Sequence, residues 1–521
     1  MSRMSGALRE TAYDPLSEVQ ERPTRSRSWL WLVVAVVVVA GVASLGGLRR
    51  FPEWDEAVFW SQSGGYEGNG SPPSFMAASR ELGPPVLIWG LRQLGLSLFG
   101  VRLAWSAITI AVLLVACWRI DHHFPANSGA LSAALIGTSW LFVAYAGGFY
   151  SACLAALLGM LLFALYLDMR RDQRRRWVWL WGVTASASLW MRPFETALVI
   201  VVLTIHSLAV QPQVLWKRKP PPLLAGFIIT LALFGAPWIA DSTIRYGGVA
   251  ERLSLASGQG FALSPGFRLL PYLGYLGGAQ QANNIFTEIP SWPSFILIGL
   301  IVLWLGIAGL SFSDHRVRRE HGLVVAILGL VGFSFYFFIA EQLRDRYLLY
   351  GLVFLLLGVG TALARRLKKS MRLWMPLVMG SLLLWIGANL AVALPYQRAR
   401  VIGATQLELT GQLLDASIDV PCRGVSRYGA PQWQLATGCR FSHASSSDEA
   451  MALIRTIVTG DAPTVVVWPA TDDLPIGEND GWIVMEFPRT AERSDLVFLY
   501  GVEVAESVSA QIQQGFLVPS Q

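Results

Sequence analysis

A series of long apolar segments constrains what this chain can fold into more than any other feature of its sequence. A helix needs about 20 mainly apolar residues to cross the hydrocarbon core of a bilayer. Segments of this kind recur as far as residue 394, and several are separated only by a short polar turn. We therefore predict eleven spanning helices, at 29–48, 101–119, 128–147, 150–168, 177–190, 195–210, 222–240, 292–312, 322–340, 346–364 and 373–394.

The composition supports a membrane protein and argues against a nucleic-acid-binding one. Of the 521 residues, 53% are hydrophobic and only 15% are charged, whereas a soluble domain usually has about 25% charged residues. The net charge of +6 arises from basic residues in short runs between the apolar segments. Such runs are typical of cytoplasmic loops rather than of a basic binding surface. We predict a polytopic α-helical membrane protein whose partners include the lipid bilayer but not nucleic acid.

Basic clusters in four loops predict how the chain is oriented. When eleven spans are threaded, these clusters and the N-terminal tail 1–28 fall on one side of the membrane, which the positive-inside rule identifies as cytoplasmic. The spanning domain 29–394 then places the loops 49–100 and 241–291 outside the cytoplasmic membrane. The second of these loops is rich in Gly and aromatic residues, and it is either a lid or a plain connection. The basic clusters lie at 170–176, 217–219, 316–319 and 365–369.

The chain changes character after residue 394, where charged residues and turn formers become frequent. We predict a small α/β domain, 395–521, on the outer face. Its two cysteines, Cys422 and Cys439, are spaced suitably for a disulfide if the domain is extracytoplasmic, and the alternative is two unpaired buried thiols. Strand-like segments lie at 464–468, 482–486 and 496–504, and amphipathic helical patterns lie at 404–416 and 447–458.

The first outer loop contains the most reactive pattern in the sequence. Asp55 and Glu56 lie among aromatic residues, beginning with Trp54, directly after the first predicted span. A partly desolvated carboxylate is more basic and suits a general base that accepts a hydroxyl proton. Neighbouring residues on a helix point about 100° apart, so one carboxylate could serve a cavity while the other binds a backbone amide or a cation. The alternative is an exposed acidic turn that begins a helix. Later in the loop, the apolar stretch 84–100 predicts an interfacial helix on the outer leaflet.

Four arginines are predicted to lie at the same membrane level as this acidic pair. They are Arg102, Arg192, Arg344 and Arg346, each at or near the outer end of a predicted span. A guanidinium group suits the phosphate of a lipid carrier, whereas a single arginine at a helix end often reaches toward the interface with no ligand. The set of four, opposite an acidic pair, favours a phosphate site. Glu195, beside Arg192, is predicted to form a structural ion pair.

These features, in this order, resemble the GT-C superfamily of polyprenyl-phosphate-sugar-dependent glycosyltransferases. The bacterial branch similar to protein O-mannosyltransferases and to the aminoarabinose transferase of lipid A matches best. The matching points are the acidic pair, a proline pair that opens an apolar interfacial helix, a Phe-Gly-Val-Arg-Leu stretch, and an Arg-Tyr-Leu that opens a late span. In this sequence they are Asp55-Glu56, Pro84-Pro85, residues 99–103 and residues 346–348.

The resemblance implies a GT-C-like membrane domain and assigns roles to individual residues. Asp55 would be the catalytic base or would position the acceptor, and Glu56 would support it. Arg102 and Arg346 would bind the donor phosphate, and Tyr347, like Trp54, would line the substrate cavity. The chain departs from many relatives at two places. Gly83 stands where they have His, and the loop 146–151 lacks the acidic residue that they carry there.

The predicted function is transfer of a sugar from a polyprenyl-phosphate donor to a glycan, lipid or protein acceptor, on the outer face and with inversion. The alternatives are a transporter or flippase for lipid-linked glycans and a non-catalytic assembly protein. A transporter commonly has polar groups near the bilayer midplane and repeated halves, whereas the predicted charges here cluster at the outer interface. The six histidines show no metal-ligand spacing, so no zinc site is predicted. The sequence leaves open whether a divalent cation, Mg²⁺ or Mn²⁺, bridges the phosphate and the acidic pair.

Overall fold

The structure is a computed structural model, and it describes fourteen parts of the chain. The predicted tail 1–28, the predicted first span 29–48 apart from Gly41, and residues 258–291 of the second outer loop lie outside the described residues. The described residues are 41, 54–65, 81–172, 174–210, 221–257, 292–312, 316–338, 345–415, 422–426, 439–444, 446–458, 463–469, 482–490 and 493–500.

Helices account for most of the described chain as far as residue 415. They are α1 Trp54–Gly65, α2 Gly83–Gln93, α3 Leu98–Ile120, α4 Ser128–Gly137, α5 Trp140–Tyr145, α6 Ser151–Asp172, α7 Arg175–Met191, α8 Pro193–Val210, α9 Pro222–Thr230, α10 Ala236–Tyr246, α11 Val249–Ser257, α12 Trp292–Phe312, α13 Arg316–Phe338, α14 Leu349–Lys369 and α15 Met371–Asp415. A π-helical turn, Leu231–Gly235, joins α9 to α10, and a 3₁₀ turn, Asp345–Leu348, leads into α14.

Every predicted span that falls within the described residues corresponds to a helix or a pair of helices. By length and composition, five helical segments of the described chain can cross a membrane: Leu98–Ile120, Ser151–Asp172, Pro222–Tyr246, Arg346–Lys369 and Met371–Gln397. Shorter apolar helices lie at Ser128–Gly137, Pro193–Ala209, Trp292–Ala308 and Gly322–Ser334. The chain is therefore a polytopic α-helical membrane protein. The interfacial helix predicted over 84–100 corresponds in part to α2, which ends at Gln93, and residues 98–100 belong to α3.

The predicted span 128–147 is divided, because α4 ends before Thr138 and α5 begins after Ser139. Ser139 caps α5 by accepting a hydrogen bond from the Phe142 amide at 3.4 Å. The Trp140 amide donates to the side-chain oxygen of Asn389 in α15 at 2.6 Å. The break is thus stabilised by a local cap and by a partner that is distant in the sequence.

Two helices form the centre of the bundle. In α6, 94% of the most apolar window is buried, and the corresponding share is 83% for the segment that contains α14, compared with 17% for α9–α10. The last pair exposes large apolar side chains such as Ile228, Leu231 and Ile244. An apolar surface of this kind suits a lipid-facing helix, so α6 and α14 form the interior and α9–α10 the periphery.

The C-terminal part contains a five-stranded mixed sheet. The strands are β1 Arg423–Ser426, β2 Arg440–His443, β3 Thr464–Pro469, β4 Trp482–Thr490 and β5 Arg493–Tyr500, in the order β2-β1-β3-β5-β4. The first three neighbours are parallel, and β5 pairs antiparallel with β3 and with β4. A helix, α16 Ser447–Val458, packs its apolar face against this sheet.

The predicted small α/β fold is confirmed, with three differences in detail. The predicted strand 496–504 begins three residues earlier, at Arg493, and its last four residues lie outside the described part. The predicted helix 404–416 is the end of α15, which continues unbroken from Met371 through residue 395 to Asp415. Strands β1 and β2 were not predicted, and a disulfide joins Cys422, just before β1, to Cys439, just before β2.

Candidate active site

The antiparallel helices place charged side chains at two opposite ends of the bundle. One end carries Asp55 in α1, Arg102 near the start of α3, Arg192 between α7 and α8, and Arg346 just before α14. The other end carries Arg119 and Asp168, near the last residues of α3 and α6. Since α6 runs from one end to the other over roughly 30 Å, the two groups are well separated. The candidate active site is the first end.

Glu56 and Arg102 form a fully buried bidentate ion pair. Arg102 donates from Nε to Oε1 of Glu56 at 3.1 Å and from Nη2 to Oε2 at 3.0 Å, and both side chains are 0% exposed. The Phe149 amide also donates to Oε1 at 3.3 Å. This carboxylate therefore binds a cationic side chain and a backbone amide. The alternative in the sequence analysis is an exposed acidic turn, whereas Glu56 is buried. The guanidinium of Arg102, which the sequence predicts to bind the donor phosphate, is bonded to Glu56 through two nitrogens in a fully buried site.

The neighbouring carboxylate has a different partner. Asp55 Oδ2 accepts from Nη2 of Arg346 at 2.5 Å, and the two side chains are 9% and 16% exposed respectively. The Arg346 guanidinium lies against the rings of Tyr150 and Tyr347, 5.9 and 5.3 Å from their centroids. Because Asp55 and Glu56 are consecutive on α1, they point in different directions and reach different arginines. Asp55–Arg346 is the more accessible of the two pairs.

Arg192 is held by two carboxylates. Its Nε lies 3.1 Å from Glu81 and its Nη1 lies 3.2 Å from Glu195, and its side chain is 11% exposed. Nε also donates to Ser151 Oγ at 3.1 Å. The predicted ion pair with Glu195 is present, whereas Glu81 was not predicted. Two carboxylates around one guanidinium leave less of Arg192 available for a phosphate than a free arginine would offer.

Tyr347 links the arginines of this end. Its ring centroid lies 5.0 Å from the Arg192 guanidinium carbon and 5.3 Å from that of Arg346. Cation–π attraction of this kind stabilises a guanidinium by about 0.5–1 kcal/mol or more. Tyr347 therefore lies inside the predicted site. Trp54 begins α1, but its side chain lies outside the described part, and Arg344 lies outside the described residues altogether.

Aromatic residues that were not predicted complete the surroundings. Tyr150 packs edge-on against Tyr145, with ring centroids 4.8 Å apart, and Tyr145 shares a hydrogen bond of 2.8 Å with Tyr396 of α15. Tyr150 lies in the loop 146–151, which lacks the acidic residue of the family pattern, and Tyr145 directly precedes this loop. Both tyrosines are adjacent to or within this loop in the sequence, and that position is the signal that could have indicated them.

The comparisons with known proteins concern the fold. The crystal structures of ArnT from Cupriavidus metallidurans, bound to undecaprenyl phosphate and in the apo state, match with a TM-score of 0.64 each. The sequences are 13% and 14% identical, and each match covers 92% of this chain and 99% of that chain. The fold is of the GT-C type. The resemblance inferred from the sequence is thus confirmed at the level of the fold.

A weaker likeness extends to a solved structure of a second protein. It is the archaeal oligosaccharyltransferase AglB from Archaeoglobus fulgidus, in complex with an inhibitory peptide and a dolichol-phosphate, with a TM-score of 0.49 and 11% identity. The match covers 92% of this chain and 75% of that chain. No family model matches the sequence, and no curated protein matches it either.

Gly83 and Gly148, which lie at the two departures from the GT-C sequence pattern, each have a steric reason in this chain. A Cβ added at Gly83 would lie 2.7 Å from the carbonyl oxygen of Trp190, so α2 packs against α7 at a distance that only glycine permits. A Cβ added at Gly148 would lie 2.7 Å from Oε1 of Glu56. Glycine in this loop therefore leaves room for the buried carboxylate of Glu56, which approaches from α1.

The carboxylates of this end do not fit a divalent cation in the arrangement observed. Mg²⁺ and similar ions need several oxygen ligands around one point. Asp55 and Glu56 are each bonded to a guanidinium group. The described part of the chain also contains no group of three His, Cys, Asp or Glu residues that could hold a metal ion. The positive charge beside Asp55 is supplied by Arg346.

The opposite end of the bundle holds a second buried ion cluster. Arg119 donates from Nε to Asp168 at 2.9 Å and also from Nη2, and it lies over the ring of Trp177. Nε2 of His123, in the loop after α3, lies 3.0 Å from Oδ1 of Asp168. Burial lowers the pKa of His123 below 6.5, and the Asp168 carboxylate only partly opposes this shift. This cluster connects α3 to α6 at the end away from the candidate active site.

Proposed function

We propose that this chain is an integral membrane glycosyltransferase that moves a sugar from a polyprenyl-phosphate donor to an acceptor hydroxyl. The observation that supports it is the Asp55–Arg346 pair, a carboxylate and a guanidinium held together among tyrosines at one end of a GT-C fold. A carboxylate can take the proton of a hydroxyl, and a guanidinium can bind a phosphate. The pair thus contains one group for each substrate.

The proposed reaction is a single displacement with inversion at the anomeric carbon. Asp55 accepts the proton of the acceptor hydroxyl as that oxygen forms its bond to the anomeric carbon. The bond from this carbon to the donor phosphate breaks, and its electron pair leaves with the phosphate oxygen. Polyprenyl phosphate then carries one more negative charge, which Arg346 stabilises.

The remaining predicted residues take supporting roles in this proposal. Glu56 and Arg102 fix α1, so that Asp55 is presented from a rigid element. Arg192 steadies Tyr347 and through it the surroundings of Arg346. Arg344, two residues before Arg346, stays a candidate for the donor phosphate on its position in the sequence alone.

The proposed setting is the outer face of the cytoplasmic membrane, with the N-terminus inside. The disulfide between Cys422 and Cys439 supports an outer location for the C-terminal domain, because disulfides persist in oxidising compartments. The solved ArnT structure with undecaprenyl phosphate supports a polyprenyl phosphate as the carrier. We further propose that the C-terminal domain helps to select the acceptor, which is a glycan, a lipid or a protein.

The test is transfer of labelled sugar from a panel of polyprenyl-phosphate sugars by the purified full-length protein. Asp55→Asn keeps the size of the side chain but removes the base, and we expect it to lower transfer by about 100-fold or more. Asp172→Asn is the matched control, since Asp172 is also paired with arginines but lies at the far end of α6. We expect this control to keep full activity.

Thermal unfolding of each variant separates loss of chemistry from loss of folding. Equal transfer by the wild type and by Asp55→Asn would remove Asp55 from the chemistry. If no donor supports transfer while the protein binds a lipid-linked glycan, the transporter alternative would replace the transferase.

A further inference from the structure

Asp55 and Arg346 are bonded to each other, although the proposed reaction needs each of them for a different substrate. Their 2.5 Å contact occupies the carboxylate that should receive the acceptor proton and the guanidinium that should bind the donor phosphate. A carboxylate bonded to a guanidinium is a weaker base than a free one, because the nearby positive charge favours its ionised form. In this state, the base is therefore masked.

We propose that the donor phosphate displaces Asp55 from Arg346, and that this exchange releases the base only when the donor is bound. This inference rests on the proposed function and deepens it, since it makes donor binding the first step of an ordered reaction. A phosphodiester of the donor carries one negative charge, as the carboxylate does. Arg346 thus exchanges one anionic partner for another, and Asp55 becomes free to bind the acceptor hydroxyl.

Arg346 is better suited to this exchange than Arg102 and Arg192, the other two described arginines of the predicted set. Arg102 is bonded through its fork to Glu56 at 0% exposure, and Arg192 is shared by two carboxylates at 11% exposure. Arg346 is the most exposed of the three, with 16% of its side chain exposed, and its Nη2 contacts the Asp55 carboxylate. An incoming phosphate can therefore reach the guanidinium of Arg346 more easily than that of Arg102 or Arg192.

The surroundings keep Arg346 in place while its partner changes. The rings of Tyr150 and Tyr347 contact the guanidinium and do not depend on Asp55. On the other side, the buried Glu56–Arg102 pair anchors α1 to α3. With both backbones held, rotation of the Asp55 side chain is enough to break the ion pair. The exchange needs no movement of a helix.

This inference predicts opposite effects of one substitution on binding and on turnover. Asp55→Asn removes the competing anion from Arg346, so undecaprenyl phosphate should bind to the purified variant about fivefold more tightly, or more, than to the wild type. A residue with a purely structural role would not tighten binding when it is replaced. Arg346→Lys should bind undecaprenyl phosphate more weakly than the wild type, because a lysine lacks the forked donor set.

Two controls accompany the binding measurement. Asp172→Asn removes a carboxylate paired with arginines at the far end of α6 and should leave the affinity for undecaprenyl phosphate unchanged. Asp55→Ser provides a second removal of the charge should the asparagine variant unfold, which thermal unfolding would reveal. Tighter binding by either folded Asp55 variant supports the exchange.

The outcomes separate this inference from the proposed function. If the wild type transfers sugar but the folded Asp55 variants bind undecaprenyl phosphate no more tightly, the exchange is wrong and the transferase stands. If the variants bind more tightly but the wild type transfers from no donor, the exchange stands as a property of a lipid-phosphate site. Weaker binding by both Asp55 variants would overturn the exchange in every case.

Discussion

At the scale of the residue, the neighbouring carboxylates Asp55 and Glu56 of the candidate active site bind different arginines. This difference distinguishes a residue that stabilises the fold from one that can take part in the reaction. Glu56 and Arg102 are 0% exposed, whereas the side chains of Asp55 and Arg346 are 9% and 16% exposed. A buried ion pair is expensive to break, because removing one partner leaves a charge in a dry environment. The accessible pair can exchange partners with a substrate. We therefore expect substitution of Glu56 to lower mainly the stability of the protein and substitution of Asp55 to lower mainly sugar transfer.

Glu56→Gln should destabilise the protein by about 3 kcal/mol or more, since it leaves the Arg102 guanidinium buried without its charge partner. Thermal unfolding of the wild type and of the variant, both purified in one detergent, would measure this loss of stability. The double variant Glu56→Leu with Arg102→Met removes both charges and should be less destabilised than the single variant. If Glu56→Gln keeps wild-type stability but loses transfer, Glu56 takes part in the chemistry directly.

The sequence identified the acidic pair but not which arginine each member contacts. The aromatic surroundings and the position after a predicted span singled out Asp55 and Glu56, and four arginines were placed at their level. Each pairing depends on a contact between segments that are distant in the sequence. Glu56 and Arg102, for example, are 46 residues apart. Glu81 escaped prediction for the same reason, because only the fold brings it to Arg192.

At the scale of the element, the length of an apolar segment predicts a spanning helix well, but it does not predict where a helix is broken. Each described span was predicted because its apolar residues are contiguous in the chain. The break between α4 and α5 lies inside one such apolar run. It is stabilised by Asn389, from a helix about 250 residues later. A local pattern cannot indicate a partner at that distance.

The packing of α2 against α7 gives a prediction at this scale. Gly83→Ala places a Cβ 2.7 Å from the Trp190 carbonyl oxygen, so α2 must shift, and we expect a lower melting temperature and reduced transfer. Gly90→Ala is the matched control, because its Cβ would meet nothing within 4 Å in the same helix. That control should be neutral or stabilising by up to about 1 kcal/mol. Equal melting temperatures for the two variants would show that α2 does not pack at this distance.

At the scale of the whole molecule, the antiparallel arrangement of the helices determines where the charged side chains lie. Helices that alternate in direction bring their ends to two levels, and the basic loops of the sequence predict the same two levels. One level contains the pairs of the candidate active site, and the other contains Arg119, Asp168 and His123. The two levels should therefore respond independently to substitution.

The far level gives a prediction about pH. Burial lowers the pKa of His123 below 6.5, so the unfolded chain binds a proton on this residue more readily than the folded protein does. The stability that His123 contributes is thus complete above about pH 6.5, and it is lost as the pH falls toward the lowered pKa. We expect the melting temperature to fall over this range in the wild type.

His123→Gln should reduce this dependence on pH, because glutamine does not titrate. His122→Gln is the control, since His122 is exposed in the same loop and its Nδ1 donates to the carbonyl oxygen of Trp118 at 2.8 Å and not to a carboxylate. Melting temperatures between pH 5 and pH 7.5 would be compared for the three proteins, with transfer measured at pH 7.5. Transfer should be equal in all three, because the cluster lies roughly 30 Å from the candidate active site along α6. An identical pH slope in the wild type and in His123→Gln would show that another group governs the acid sensitivity.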